Sequence, residues 1–438
     1  MMVQEQGRGS FAQIVGGDEN LAAERQELTA LGLQQMSQYG QNILAFVDDA
    51  VPQSDHSSFH SEQSLSGLMI GIKDIIDTKC HPTQYGSPIY EGYQPKADAS
   101  VVAKAKAHGC MILGKTVTTE FANVSPGKTK NPFRLTHTPG GSSSGSAAAV
   151  AAGFLPMALG TQTSGSIIRP ASFCGVVGYK PTYGLVSKAG VKALSGTLDT
   201  VGGFTRYVRD MRVLAQLLAP QAGFRREQIP LEGLRVGLLS WPTQSEANDD
   251  ALMRLSDVAR SLEMKGAMIK DVDLPHSWSF LFSDQQTIMA VESLDNLSDE
   301  FLNHKPQLSD ALCQLLVDAQ DIAAADYLQA RQRALMAEQE GAKLFQQFDV
   351  LLCLSTKGEA PEGLANTGDP MFNRMWTLLG YPTLTLPAGV GDTGLPLGIQ
   401  VAQNKFCDGH LINIAESIEG ALNEQCWGHQ FYKLDPRL

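Results

Sequence analysis

Apolar residues recur at three- and four-residue steps from Asn20 to about Val51, and that spacing predicts a helix. The polar run that follows, SDHSSFHSEQS, reads as a loop. GLMIGIKD is strand-like. Ala99 to His108 reads as a helix with Asp98 as its N-cap and Gly109 as its stop, and CMILGK returns to strand. LRVGLLS, Asp249 to Lys265 and AMIKDVDL repeat strand, helix, strand. Asp321 to Phe345 is a long amphipathic helix, with FDVLLCLS a buried strand after it. TLTLPA and GLPLGIQVAQ read as strands flanking a Gly-rich turn, and His410 to Leu422 closes with a helix. Such alternation predicts an α/β fold, with helices layered on one mostly buried sheet. No Pro-rich linker, compositional shift or internal repeat divides the chain, so a single domain over 1–438 is expected.

Composition narrows the function classes. Of 438 residues, 43% are hydrophobic and 18% charged, which suits a packed core and not a disordered chain or coiled coil. Asp plus Glu (46) outnumber Lys plus Arg (34), for a net charge of −12, and no dense basic run stands out. A nucleic-acid surface or an anionic-membrane anchor is therefore disfavoured. The seven cysteines are odd in number, lack C-x-x-C spacing and mostly have apolar neighbours, so they read as reduced core thiols. The first twenty residues lack the apolar stretch of a signal peptide. The most apolar small-residue stretch, Gly145 to Gly160, is broken by Gly153 and Pro156 and is too short to span a bilayer. A soluble cytoplasmic protein is expected, with neither nucleic acid nor membrane as partner. No metal is expected either, because His81, His108 and His137 lack ligand spacing and no H-E-x-x-H occurs.

One segment departs from the average. The 34 residues between Arg134 and Arg169 contain no Asp, Glu, Lys or Arg and are rich in Gly, Ser, Thr and Ala. Glycines permit close backbone approach, and hydroxyls need partners when buried. Two readings stand side by side: small-residue packing between tightly spaced layers, or a site built from backbone N–H groups and hydroxyls.

Three signature-like patterns fall in or near it. Gly109 to Thr116 has P-loop spacing, but a helix precedes it and CMIL within it is itself strand-like, the reverse of the required context. Ser125-Pro-Gly-Lys128 fits S-x-x-K, but Pro126 and Gly127 break the helix that would put both side chains on one face. Gly141-Ser-Ser143-Ser-Gly145 fits the nucleophile elbow, which needs a strand leading in. NPFRLTHTPG reads as a loop there, and no downstream histidine has a telling context, so the elbow stays only as an alternative.

GGSSSGSAAAVAAG (140–153), LGTQTSGSIIRPASFCGVVGYKPTYG (159–184) and the upstream GIKDIIDT (71–78) together resemble the amidase signature family. SGTLDTVGGF, FDVLLCLS, PTLTLPAG and LPLGIQVAQ extend the resemblance over roughly residues 20 to 425, least closely over 220–310. It implies the amidase signature fold, a mixed central β-sheet covered by helices. It divides the chain into a helical N-terminal region (about 1–60), a catalytic core (71–210), a variable substrate-entrance region (about 220–310) and C-terminal core elements (311–438). It implies Ser166 as nucleophile, Ser142 as a bridging serine after a cis peptide bond, and Lys73 as base. Backbone N–H groups of Thr163, Ser164, Gly165 and Ser166 would hold the oxyanion.

Lysine can serve as a base only when neutral, and burial in an uncharged segment favours that form. Asp74, next to it, could instead hold it charged in an ion pair. Ser143, Ser144 and Ser146 could be loop and N-cap serines, with Ser143 supporting the site, and Asp199 reads as a structural anchor. The implied reaction is hydrolysis of a carboxylic amide through an acyl-enzyme. It needs no cofactor, takes a small-molecule amide, and occurs in a family where homodimers are common.

Three positions depart from the family pattern. Ser164 stands where glycine is usual, Gln162 where Asp is usual, and Ile168 where Arg is usual, with Arg169 one residue later. The last shift resembles a malonamidase-like branch, in which Thr161 and Arg169 would hold a carboxylate on the substrate. The other reading of Arg169 is a brace on backbone carbonyls. An amidotransferase A-type subunit needing partner subunits, and a catalytically inactive binding protein on the same scaffold, are the alternatives.

Overall fold

The computed structural model describes residues 11–14, 19–47, 65–123, 125–240, 246–272, 274–428 and 434–435. The loop read over SDHSSFHSEQS lies outside them. Among the described residues ten strands are found: β1 Met69–Lys73, β2 Met111–Thr116, β3 Met157–Gln162, β4 Val177–Lys180, β5 Thr200–Thr205, β6 Arg235–Leu239, β7 Met268–Val272, β8 Val350–Leu354, β9 Thr383–Val390 and β10 Pro396–Ala402. They form one sheet in the order β2-β1-β3-β5-β4-β9-β10-β8-β6-β7. Pairing is parallel across β2-β1-β3 and β8-β6-β7 and antiparallel between β3 and β8. The sheet is therefore mixed. The strands β6 and β7, from the stretch 220–310, belong to the same sheet as the signature strands.

The α-helices are α1 Glu19–Ile43, α2 Ser100–Ala107, α3 Ser144–Ala151, α4 Ile168–Phe173, α5 Val208–Leu218, α6 Asp249–Met264, α7 Leu281–Asn296, α8 Ser298–Asn303, α9 Asp310–Ala319, α10 Ala324–Gln347, α11 Met371–Leu378 and α12 Asp408–Glu424. The periodic segments of the sequence fall on these elements, with corrections at their ends. The first helix stops at Ile43, because Leu44 turns to φ +56° and Phe46 bridges to Thr116 of β2. Asp98 does not cap α2. Ala99 is the N-cap, and the Asp98 carboxylate accepts from Lys79 N and pairs with Lys106. The long amphipathic helix begins at Ala324, not Asp321. None of the seven cysteines is disulfide-bonded; Cys110, Cys174 and Cys353 are buried, while Cys80 and Cys426 are exposed.

The uncharged segment accounts for the centre of the fold. Every residue of α3 is buried, and the helix lies against β1, β2, β3, β5 and α4. Only small side chains fit at that spacing. A Cβ on Gly145 would come 2.2 Å from Ala45 O and 2.3 Å from Val117 N. The second glycine of the elbow-like pattern is thus required by the neighbouring backbone. Ser143 is the N-cap residue of α3, but its hydroxyl makes no capping bond. It meets Thr161 of β3 instead (Ser143 Oγ to Thr161 O, 3.2 Å), and Ser146 Oγ donates to Leu159 O (2.8 Å). Among the described residues, no helix is long and apolar enough to cross a membrane.

Candidate active site

β1 carries Lys73 into the interior at its C-terminal end. Parallel pairing sets Ile70–Ile72 beside Met157–Leu159 of β3, so Lys73 faces the next residues along β3. Its side chain is fully buried. Lys73 Nζ lies 2.7 Å from Ser142 Oγ, 2.8 Å from Thr161 Oγ1 and 3.5 Å from Thr161 O. Burial holds the ammonium well below the ordinary lysine range; the field of Asp199 opposes this and that of Arg169 adds to it. Asp74 does not hold Lys73 charged. It turns to Lys115 (3.5 Å) and accepts from Gln84 N. Burial outweighs the attraction within that pair, pushing Asp74 up to about 6 and Lys115 down to about 8. Lys115 is the lysine of the P-loop-like pattern, and its Nζ is bound by Asp74, Thr83 and Ile76 O inside the protein.

Ser142 precedes α3, and its peptide bond with Gly141 is cis. Ser166 lies just before α4 and is 7% exposed. Arg169 ties the two segments together, its Nη2 donating to Gly141 O (2.6 Å) and Thr367 Oγ1 (3.0 Å). No hydrogen bond joins Ser142 to Ser166 among the described residues. Outside the regular elements, no backbone hydrogen bond begins at the N–H of Thr163, Ser164, Gly165 or Ser166 among the described residues. The next two N–H groups, of Ile167 and Ile168, both donate to Gln162 Oε1 (2.9 and 3.0 Å). Gln162 Nε2 donates to Thr377 Oγ1, so an uncharged carboxamide does the orienting where a carboxylate would be the usual residue.

The loop 163–166 is held from several elements. Thr163 Oγ1 donates to Asp199 Oδ1 (2.6 Å), and Asp199 Oδ2 accepts from the N–H of Leu194 and Ser195. Burial pushes the Asp199 carboxyl up, against these hydrogen bonds. Gln285 of α7 donates from Nε2 to Thr163 O (3.0 Å) and Ser164 Oγ (2.9 Å), and Ser164 Oγ also contacts Met289 Sδ. Ser164 is not among the residues with positive φ, so serine at this position demands no left-handed backbone. Gly165 is required for close approach: a Cβ there would meet Asn373 Oδ1 at 2.4 Å and the Pro370 Cβ at 2.8 Å.

The structure thus brings Lys73, Ser142, Thr161 and Ser143 into one hydrogen-bonded group, with Arg169 bracing the backbone beside it. Thr161 Oγ1 accepts from the lysine, and Ser143 Oγ donates to the Thr161 carbonyl. Arg169 Nη2 donates to two protein acceptors, while its Nε is buried with no hydrogen-bond partner. Gln285, Met289, Asn373, Arg374 and Thr377 were not found from sequence. They lie far from the signature in the chain and share no motif with it. No group of three or more His, Cys, Asp or Glu able to hold a metal occurs among the described residues.

The profile of the family described as Amidase matches residues 33–412. The A-type subunit of the glutamyl-tRNA(Gln) amidotransferase of Lysinibacillus sphaericus is 30% identical, over 98% of this chain and 97% of its own. Among solved structures, the corresponding A-type subunit of the Thermotoga maritima enzyme is similar with a TM-score of 0.81 at 28% identity, covering 94% of this chain and 95% of its own. Peptide amidase of Stenotrophomonas maltophilia is similar with a TM-score of 0.75 at 27% identity, covering 92% and 95%. With most of its length matched by the family profile and the mixed sheet shared with these enzymes, the chain belongs to the amidase family.

Proposed function

We propose that the protein is an amidohydrolase that cleaves a carboxylic amide C–N bond through an acyl-enzyme on Ser166. The observation that carries this reading is the contact of a fully buried lysine, free of a carboxylate partner, with a serine hydroxyl (Lys73 Nζ to Ser142 Oγ, 2.7 Å). A buried lysine held below its ordinary range is neutral for a larger fraction of the time at a given pH and can accept a proton. In the proposed relay Lys73 takes the proton of Ser142 while Ser142 takes that of Ser166, whose oxygen attacks the amide carbon. Ser166 and Ser142 come into hydrogen-bond contact when substrate is bound, since catalytic hydrogen bonds commonly tighten only in the substrate complex. The N–H groups of 163–166, free of acceptors elsewhere in the loop, face the oxyanion, each worth about 3 kcal/mol in the transition state. The same proton returns through Ser142 to the leaving nitrogen. Water then attacks the acyl-enzyme by the same route and releases the acid.

The test is release of ammonia or amine from a panel of small amides: malonamate, neutral aliphatic amides, aryl amides and ureido acids. Wild type is expected to turn over at least one of them, and Ser166→Ala to lose that activity by a factor of about 10³ or more. Equal rates in both proteins contradict the reading.

The names of the relatives favour a second reading, an amidotransferase A-type subunit that works with partner subunits. Hydrolysis of simple amides by the isolated chain counts against it. Activity that appears only when partner subunits are added supports it.

A further inference from the structure

The loop 163–166 is steered through its carbonyls. Its peptide units are trans, so in each unit the N–H points away from the C=O. A donor that holds the carbonyl on one side therefore sets where the N–H faces on the other. Gln285 Nε2 donates to Thr163 O (3.0 Å), Thr377 Oγ1 to Ser164 O (2.8 Å) and Arg169 N to Gly165 O (2.9 Å). These contacts fix the three units that carry the N–H groups of Ser164, Gly165 and Ser166. The first is held by a carboxamide and the third by a backbone bond at the start of α4.

The middle unit depends on a hydroxyl, which rotates and has a single proton to give. Gln162 decides how Thr377 uses it. Gln162 Oε1 accepts from the N–H of both Ile167 and Ile168, so the carboxamide has one orientation: turned over, its NH2 would face two donors. Its Nε2 therefore faces Thr377 Oγ1 (2.9 Å), and there the hydroxyl must accept. The threonine proton is left for a carbonyl. Of the two in reach, Ser164 O at 2.8 Å makes the shorter contact and Asn373 O at 3.3 Å the longer. Gln162 and Thr377 are both buried, which keeps bulk water from competing for that proton.

We propose that Gln162 and Thr377 are positioning residues for the oxyanion site: by donating to Thr377, the Gln162 carboxamide commits the threonine proton to Ser164 O and so sets the direction of the Gly165 N–H. This rests on the reading of Ser166 as nucleophile with the N–H groups of its loop as oxyanion donors. A carboxylate at 162 would still accept from Ile167 and Ile168, but it would also draw the Thr377 proton away from Ser164 O.

The test is phosphonylation of Ser166 by a fluorophosphonate, whose phosphoryl oxygen gains negative charge in the transition state and needs the same donors as an amide. The maximal labelling rate and the half-saturating reagent concentration are measured separately on the full chain. The proteins are wild type, Thr377→Val, Thr377→Ser, Gln162→Glu and the double variant Gln162→Glu/Thr377→Val, each checked by thermal melt. Thr377→Ala replaces Thr377→Val if the latter does not fold. Thr377→Val keeps the shape and drops the hydroxyl, so it should lower the maximal rate by about tenfold or more and leave half-saturation within about threefold. Thr377→Ser keeps the hydroxyl and should stay within about threefold of wild type in both. Gln162→Glu should slow wild type by a factor about ten times larger than it slows Thr377→Val, because in the second background no threonine proton is left to divert. A wild-type rate in folded Thr377→Val overturns the proposal, as does a change confined to half-saturation. Thr377→Ser as slow as Thr377→Val overturns it too, since packing and not the proton would then be at work. Equal slowing by Gln162→Glu in both backgrounds is the field of the new charge alone and also overturns it. Labelling of Ser166 at one rate in all five proteins leaves the nucleophile standing without this inference, whereas a wild-type Ser166 that takes no label removes both.

Discussion

Whether Lys73 can act as a base depends on which charges reach it. Asp74 is its neighbour in sequence, yet its partner is Lys115 on the adjacent strand. The contacts of Lys73 are hydroxyls and a carbonyl, which leave the burial penalty on its charged form largely uncompensated. The same local logic makes Gly165 sensitive. Its substitution by Ala drives a methyl into Asn373 Oδ1 and Pro370, next to the nucleophile. Gly165→Ala is expected to lower kcat by about 10² while the protein stays folded, since misplacement of reacting groups by about 1 Å costs that much. Wild-type kcat in a folded Gly165→Ala protein, measured beside its thermal melt, would show that the loop tolerates the displacement. Ser164 is different. Its ordinary backbone angle and its bonds to Gln285 and Met289 explain why a side chain is accommodated where glycine is usual.

Among the elements, the pairing of β1 with β2 holds a buried ion pair just beneath the site. Removing the carboxylate leaves Lys115 buried without its opposite charge. Asp74→Ala should therefore destabilise the fold by about 3 kcal/mol, read as a lower denaturant midpoint. An unchanged midpoint would mean that Thr83 and Ile76 O suffice for Lys115. Elements with a clear period or apolar run were legible from sequence: the helices α1, α2, α6, α10 and α12 and the strands β1, β2, β6, β7, β8, β9 and β10. The strands β3, β4 and β5 were not. β1 and β8 are as fully buried but are dominated by large apolar residues, whereas MALGTQ, VGYK and TVGGFT are interrupted by glycine and polar residues. The cap of α2 was misread because Asp98 has a better use, bonding Lys79 N and Lys106. Lys73, Ser142 and Ser166 could be picked out because they sit in a recognisable signature. Gln285 and Arg374 could not, because only tertiary packing brings α7 and α11 against the nucleophile loop.

For the molecule as a whole, one mixed sheet joins the signature strands to those of the stretch 220–310. The strands β1 and β3 and the segment before α3 bring Lys73 to Ser142 and Thr161, and Arg169, three residues after Ser166, bonds Gly141 O. Gln285 of α7 bonds Thr163 O and Ser164 Oγ and accepts from Arg374 of α11. The central claim, a serine made nucleophilic by a neutral lysine, can be tested without knowing the substrate. The measurement is the rate of fluorophosphonate labelling as a function of pH, with the modified residue located by peptide mass spectrometry, in wild type and Lys73→Met. The neutral fraction of Lys73 grows as pH rises, so wild-type labelling should rise with pH through an apparent pKa below the ordinary lysine value of 10.5 and fall away on the acid side. The adduct should be on Ser166, and Lys73→Met should label at least about 10² times more slowly with that pH dependence gone. An adduct on another residue, or labelling of Lys73→Met at the wild-type rate, would contradict the account.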